Sequence, residues 1–454
     1  MPRRIAFWAL LALAGCGPGT QERTHGQAAA PEPVGIRPFR FGQPDVVLLV
    51  TGGTNGMLEV CNCAGPMAGG LARRSGLVRS YRAAFANLLL LDTGDVFWIE
   101  PNDLRNEYVL KGYAQIGYDA IVPGDQEWAA GPRRLRELLA GRGLTCLSPT
   151  VSAEGVRTIA AMERQFGPAK LAVVADARKS AFTFVPEDVV AKLSFADPAE
   201  LHRRVGELKA GGYVVVAAAH MDEDSLASLA SMPVDLIVRG HTTRSEPQLQ
   251  RIGGKPVVKV GGSETVGVVA MKLADGKLAD IEYRLEVVDT SWPLDQRLIQ
   301  TYQAYAHAAM RQALDAERKE GLAYQPSSAC GRCHRPQYDA WRKSHHARAY
   351  GTLVKARRTG DPNCLACHTS GFGTKHGFLT IEKTPELANV NCQDCHRFTE
   401  AEHRQKGFRF APVGKDVCTT CHTPVTDPKF DLSAKVPKVR CPHSARPAAG
   451  SQPS

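Results

Sequence analysis

The sequence predicts an α/β protein in two parts: a layered sheet domain over residues 44–290 and a smaller, mostly helical and irregular domain over residues 324–445. Three observations lead there. From Asp45 to about Val288, short apolar runs bounded by turn residues alternate with helical patterns, as in sheets covered by helices. From about Tyr324 the long apolar runs stop, Cys, His, Gly and Pro become frequent, and Lys and Arg outnumber Asp and Glu by about two to one. The length, 454 residues, suffices for two or three domains. The formal charge of +10 suits acidic partners or anionic ligands. It is not the dense basic stripe of a nucleic-acid binder, and no nucleic acid is expected as a partner.

In chain order, "MPRR" is a basic n-region and "IAFWALLALA" an apolar run too short for a permanent membrane span. It ends in "LAGC", which resembles the lipobox of bacterial lipoproteins. That resemblance implies a signal peptide over residues 1–16 and lipidation of Cys16; the alternative is an ordinary secretory signal. Either way the mature chain lies outside the cytoplasm, on the periplasmic or cell-surface side. Gly17 after the cysteine implies outer-membrane anchoring by analogy. Residues 17–43, rich in Gly, Pro, Ala and Gln, read as a flexible tether.

Within 44–290, "DVVLLV", "NLLLLDTGD", "YVVVAAAH", "DLIVRGH" and "KPVVKVGG" read as buried strands, and "PRRLRELLA" and "PAELHRRVGELKA" as helices. Residues 291–323 connect the halves. Within them, 293–320 form one long helical pattern with Pro near its start and Gly321 after its end. Residues 446–454 are a tail.

The segment from Tyr324 cannot build a large core from its own side chains. Four motifs name the filler: "CGRCH", "CLACH", "CQDCH" and "CTTCH". C-x-x-C-H is the attachment signature of c-type haem, whose vinyl groups bond covalently to the two thiols and whose iron takes the adjacent His. The attachment cysteines are Cys330 and Cys333, Cys364 and Cys367, Cys392 and Cys395, and Cys418 and Cys421. The proximal ligands are His334, His368, His396 and His422. Two zinc ribbons are the competing reading. The His in every motif, the export signal and the missing apolar core favour four haem c groups.

"CGRCHRPQYDAWRKSHHARAY" resembles the opening of the tetrahaem cytochromes c that take electrons from hydroxylamine oxidoreductase, and the later motifs follow that family over roughly the last 125 residues. The resemblance implies distal iron ligands at His346, with His345 in a variable position, at His403 and at His443. His376 stands where the family more often has small residues. It either completes a fourth bis-histidine haem or faces solvent. His307 on the connecting helix reads as a surface or packing residue.

"LLVTGGTNGMLE", "LLLLDTGDVF", "GYDAIVPGDQEW", "VVVAAAHMDED" and "DLIVRGHTT" resemble, in that order, the five metal-binding blocks of the calcineurin-like metallophosphoesterases, in their periplasmic 5′-nucleotidase branch. That family holds two divalent ions bridged by an Asp. Carried over, three ligands of one metal fall on Gly53, Asn55 and Thr243, so that half-site reads as vacated or repurposed. The other metal keeps Asp95, Asp125, His220 and His241, a mixed oxygen and nitrogen set for one zinc, manganese or iron ion. The family's leaving-group acid falls on Gln126, which cannot act as an acid. Four cysteines remain: Cys61, Cys63, Cys146 and Cys441. "CNC" supplies either thiolates to the vacated half-site or a structural disulfide or buried thiols.

Three functions compete. The first is a membrane-anchored electron carrier served by redox partner proteins. The second is a redox enzyme acting on a small nitrogen or sulfur compound at an open haem or the single metal. The third is a metal-dependent phosphoester hydrolase with an attached cytochrome.

Overall fold

The computed structural model describes residues 35–60, 68–100, 102–424, 426–427 and 429–442. The expectations for Cys16, Cys61, Cys63 and His443, the signal peptide and the tail lie outside the described residues. So does most of the tether.

Thirteen strands are described: β1 (Val46–Thr51), β2 (Leu88–Asp92), β3 (Ala120–Ile121), β4 (Val151–Ser152), β5 (Met162–Phe166), β6 (Ala169–Ala177), β7 (Ser194–Phe195), β8 (Val214–His220), β9 (Leu236–Arg239), β10 (Gln250–Ile252), β11 (Lys255–Lys259), β12 (Thr265–Ala274) and β13 (Lys277–Val287). They form one sheet in the order β13-β12-β1-β2-β3, a second in the order β10-β11-β9-β8-β6-β5, and a β4-β7 ribbon. β1 pairs parallel with β2 and antiparallel with β12, and all six of its residues are buried, as its unbroken apolar run requires.

Side-chain alternation divides the strands between layers. Val46, Leu48, Val50, Leu89 and Leu91 of the first sheet meet Val173, Val216 and Val238 of the second in one core. Val47, Leu49 and Leu90 face the other way, onto Leu77, Tyr81, Val109 and Tyr113 of the helices Leu71–Ala84 and Asp103–Ile116. Val174, Val215 and Ala217 pack on Leu201, Val205 and Leu208 of the helix Pro198–Ala210. The result is helix, sheet, sheet, helix: the expected α/β layered class. Two further elements are present. β6 extends the second sheet. The β12–β13 hairpin turns at Asp275-Gly276, with φ of 51° and 67°, the pair of positive values that a two-residue primed turn demands.

The connecting helix is shorter than its sequence pattern and runs Gln296–Asp315. The Asp295 side chain caps it by accepting from the Arg297 N–H at 3.0 Å. Beyond Ala316 the backbone is extended, and Lys319 pairs with Thr374 in an isolated bridge. The helix buries Leu298, Tyr302 and Tyr305, and packs on the helices Leu71–Ala84, Asp103–Ile116 and Pro362–His368. Tyr302 Oη donates to Asp361 Oδ2 at 2.7 Å, and Asp361 caps the helix that carries the second C-x-x-C-H. Arg358 reaches Glu59 of the sheet domain at 3.6 Å.

The second domain has short helices and one small core of Tyr350, Leu353, Leu365, Phe378, Leu387 and Ala388. Among the described residues no helix is long and apolar enough to cross a membrane.

Candidate functional site

The four metal-ligand candidates of the sheet domain follow the carboxyl ends of parallel strands, where open α/β sheets place their ligands. Asp95 follows β2, Asp125 opens the helix Asp125–Ala129 after β3, His220 ends β8, and His241 follows β9. Asp95 and His241 have φ of 58° and 51°, the left-handed region that non-glycine residues enter at a cost of about 1–3 kcal/mol.

One donor atom from each of the four lies within 4.8 Å of the other three. His220 Nε2 is 3.0 Å from Asp125 Oδ1 and 3.8 Å from Asp95 Oδ1; His241 Nδ1 is 3.6 Å from Asp125 Oδ1 and 3.7 Å from Asp95 Oδ2. Four ligands at about 2.0–2.2 Å around one tetrahedral ion stand about 3.3–3.6 Å apart. Asp95 Oδ1 and His241 Nδ1 are buried without a hydrogen-bond partner, a cost that a cation between them would remove. The residues therefore fit one divalent ion.

The surroundings orient the set. His220 Nδ1 donates to the Thr93 carbonyl at 2.9 Å, which turns Nε2 toward the carboxylates. Burial opposes a charge on His220, yet Asp95 and Asp125 hold its pKa up at about 9. Two glycines make room for its ring: a Cβ on Gly94 would stand 2.6 Å from Nδ1, and one on Gly124 2.2 Å from Cε1. Glu127, buried on the helix after β3, accepts from the N–H groups of Gly124, Asp95, Val96 and Phe97 at 2.7–3.1 Å. Burial, then the Asp95 charge, push its carboxyl up to about 8. Sequence reasoning passed over Glu127. Its place two residues after Asp125 was the available signal, but its role appears only once the 95–97 loop folds back over it.

The vacated half has its own structure. Gly53 has φ of 65°, and a Cβ there would lie 2.9 Å from the Gly262 nitrogen, so no Asp fits without a backbone shift. Asn55 Nδ2 donates to the Gly53 carbonyl at 2.9 Å, Gln126 Nε2 donates to Asn55 Oδ1 at 3.0 Å, and Thr243 is exposed. Neutral amides bonded to each other line this side.

In the second domain two pairs of imidazoles come close together, their rings tilted by 59° and 56°. The ring centroids of His334 and His403 are 5.8 Å apart, and those of His346 and His422 are 6.3 Å apart. Imidazoles on opposite sides of one metal, at about 2.0 Å per bond, bring their centroids to about 6 Å. The residues thus fit haem iron between each pair. His422 Nδ1 donates to Asp427 Oδ2 at 2.9 Å, and its ring stacks on Phe430 at 4.7 Å. Phe398, Phe408 and Phe410 surround His403. His368 Nδ1 donates to the Ala349 carbonyl at 2.8 Å. Burial lowers the pKa of His396, and its Nδ1 lacks a partner.

His376 and His345 are exposed, and among the described residues neither pairs with a motif histidine. His307 is exposed, close against Gly360. His443 follows Pro442, whose carbonyl accepts from Gln337 Nε2 at 2.9 Å. Cys146 is buried and Cys441 half-buried, and among the described residues neither is in a disulfide. Which distal histidine meets which motif was not legible in the sequence, because 69 and 76 residues separate the paired rings.

The family model for cytochrome c554 and c-prime matches residues 329–397. Cytochrome c-554 of Nitrosomonas europaea is 33% identical over 104 residues, which cover 19% of this chain and 44% of that protein. The chain thus spans less than half the length of this curated relative. The fold resembles the sulfate thiohydrolase SoxB of Thermus thermophilus (TM-score 0.54, 22% identity, 71% of this chain and 68% of that one). It also resembles a 5′-nucleotidase precursor from Thermus thermophilus (TM-score 0.52, 22% identity, 76% and 73%). A calcineurin-like phosphoesterase of Bacillus subtilis is covered to 98%, with a TM-score of 0.50 and 19% identity. The chain therefore joins a metallophosphoesterase-like α/β fold to a region similar to cytochrome c554, a similarity that implies haem c.

Proposed function

We propose that the chain is an exported, lipid-anchored tetrahaem c-type cytochrome that transfers electrons and carries a 5′-nucleotidase-like domain with at most one metal site. The observation that carries this is the approach of His334 to His403 and of His346 to His422, with ring centroids 5.8 and 6.3 Å apart. Bound haem supplies one-electron chemistry. The chain's own part would be to supply two imidazoles to each of two haems, His334 with His403 and His346 with His422, and a haem held this way would be suited to electron transfer rather than to binding a substrate. Asp427 orients His422 and raises its donor strength, and the Ala349 carbonyl does the same for His368. On this reading His368 and His396 would hold the other two haems, each with a further ligand or an open face. The "LAGC" motif at Cys16 supports the anchor. The basic second domain suits acidic redox partners.

The test is the spin state of the oxidised, haem-loaded protein by low-temperature electron paramagnetic resonance, against four haems per chain. At least two low-spin bis-histidine haems are expected. Mostly high-spin iron would overturn the reading.

A second reading has its own observation: the orphaned buried Asp95 Oδ1 and His241 Nδ1. Asp95, Asp125, His220 and His241 would hold one zinc, manganese or iron ion, which supplies Lewis acidity to a bound oxygen. Gln126 replaces the acid of the related hydrolases, so phosphoester cleavage lacks its proton donor and a redox or binding role is favoured. One non-haem metal per chain, without phosphomonoester hydrolysis, is the result expected.

A further inference from the structure

The segment after His220 is tied to the strand that leads into His241, and the ties are carboxylates. Asp222 Oδ1 faces His241 Nε2 at 3.8 Å, on the far side of the ring from the Nδ1 that meets Asp95 and Asp125. Glu223 accepts from Lys259 Nζ at 2.9 Å and from Arg239 Nη1 at 3.3 Å. Arg239 Nε also donates to the Met221 carbonyl at 3.2 Å. The Arg239 and Lys259 side chains are each only 9% exposed, whereas that of Glu223 is 62% exposed. Two nearly buried cations on neighbouring strands thus depend on one carboxylate from a surface turn. His241 needs such support: it sits at φ 51°, between Gly240, whose added Cβ would strike Thr93, and the exposed Thr243.

We infer that Asp222 and Glu223 form an outer carboxylate brace that positions His241 as an Nδ1 ligand of the single metal. Asp222, at 3.8 Å, lies beyond hydrogen-bond length and favours the Nε2–H tautomer through its negative charge. Glu223 clamps the 221–223 turn to Arg239 on β9 and Lys259 on β11, which holds Asp222 in place. Both are positioning residues. The inference rests on the one-metal reading and adds residues outside its ligand set.

The test uses the full haem-loaded chain, stripped of loosely held metal and dialysed against zinc alone at set free concentrations, with zinc counted separately from iron. Wild type is expected to take up one zinc. Asp222→Asn should weaken zinc binding about 10- to 100-fold, the usual cost of losing an outer partner. Glu223→Gln should weaken it less, and Asp222→Glu should recover part of the loss. Zinc-edge absorption spectroscopy supplies a readout that a merely structural role would not move: Asp222→Asn should lose or disorder one imidazole shell while haem content and melting temperature stay those of wild type. Wild-type zinc affinity and an unchanged imidazole shell in Asp222→Asn would overturn the brace and leave the one-metal reading standing. A wild-type chain that takes up no zinc would overturn both.

Discussion

Gly124→Ala adds one methyl group where the structure has no room for it. The new Cβ would stand 2.2 Å from Cε1 and 2.5 Å from Nε2 of His220. Carbon atoms in contact prefer about 3.5–4.0 Å, so the ring must retreat by more than about 1 Å. The backbone adds nothing, because Gly124 has φ of −91°, open to any residue. Metal ligands tolerate about 0.2 Å, so His220 leaves the set and three donors remain. Zinc affinity should fall more than about 100-fold, beyond the loss expected for an outer partner alone. Overpacking should cost the sheet domain about 1–3 kcal/mol. The assay is equilibrium dialysis against zinc, with haem content and a thermal melt as controls for folding. A folded Gly124→Ala protein that binds zinc as tightly as wild type would refute the reasoning, because a His220 ligand could not then be touching Gly124.

Other predictions concern charge and the joint between domains. In the metal-free protein the carboxylates hold His220 protonated up to about pH 9. Its share of metal-free stability is therefore full below its unfolded pKa of about 6.5 and lost as pH rises through about 9. Zinc must displace that proton, so binding at pH 7 should release about one proton and tighten about tenfold per pH unit toward 9, as titration calorimetry in two buffers would show. Bonds from Arg297, then Ser75, hold the Asp295 carboxyl down at about 2. Its contribution is present above the unfolded pKa of about 3.9 and lost as pH falls toward 2; Asp295→Ala should cost about 1–2 kcal/mol near neutral pH and little at pH 2, measured by urea melts. Tyr302→Phe leaves Asp361 without its buried donor and should cost about 1–3 kcal/mol. Asp427→Asn removes the carboxylate behind His422 and should raise one haem potential by on the order of tens of millivolts in a spectroelectrochemical titration.

What was legible in the sequence follows from the range of the forces involved. The C-x-x-C-H motifs are local covalent chemistry, so the cysteines and proximal histidines read off directly. Strands such as Val46–Thr51 and Val214–His220 are buried on both faces, so an unbroken apolar run marks them. β13 was harder to see because its residues are mostly half-buried and its alternation is blurred; only Asp275-Gly276 marks its turn. The connecting helix ends five residues before its pattern does. The polar run after Asp315 carries no core face, and Lys319 finds a strand-like partner in Thr374. Of the metal set, Asp95, Asp125, His220 and His241 were readable through their blocks, but Glu127, Asp222 and Glu223 act through hydrogen bonds and charges that only folding assembles. The pairing of His403 with His334 and of His346 with His422 is tertiary in the same sense.

The central claim is that pairing, since an iron held by two imidazoles would have no open position and would be left to electron transfer. Its most direct test is a crystal structure of the haem-loaded chain with the irons located from anomalous scattering at the iron edge. The account predicts one iron between His334 and His403 and another between His346 and His422, each about 2 Å from both imidazoles. Irons bound by His334 or His422 with a water, or with a different histidine opposite, would contradict it.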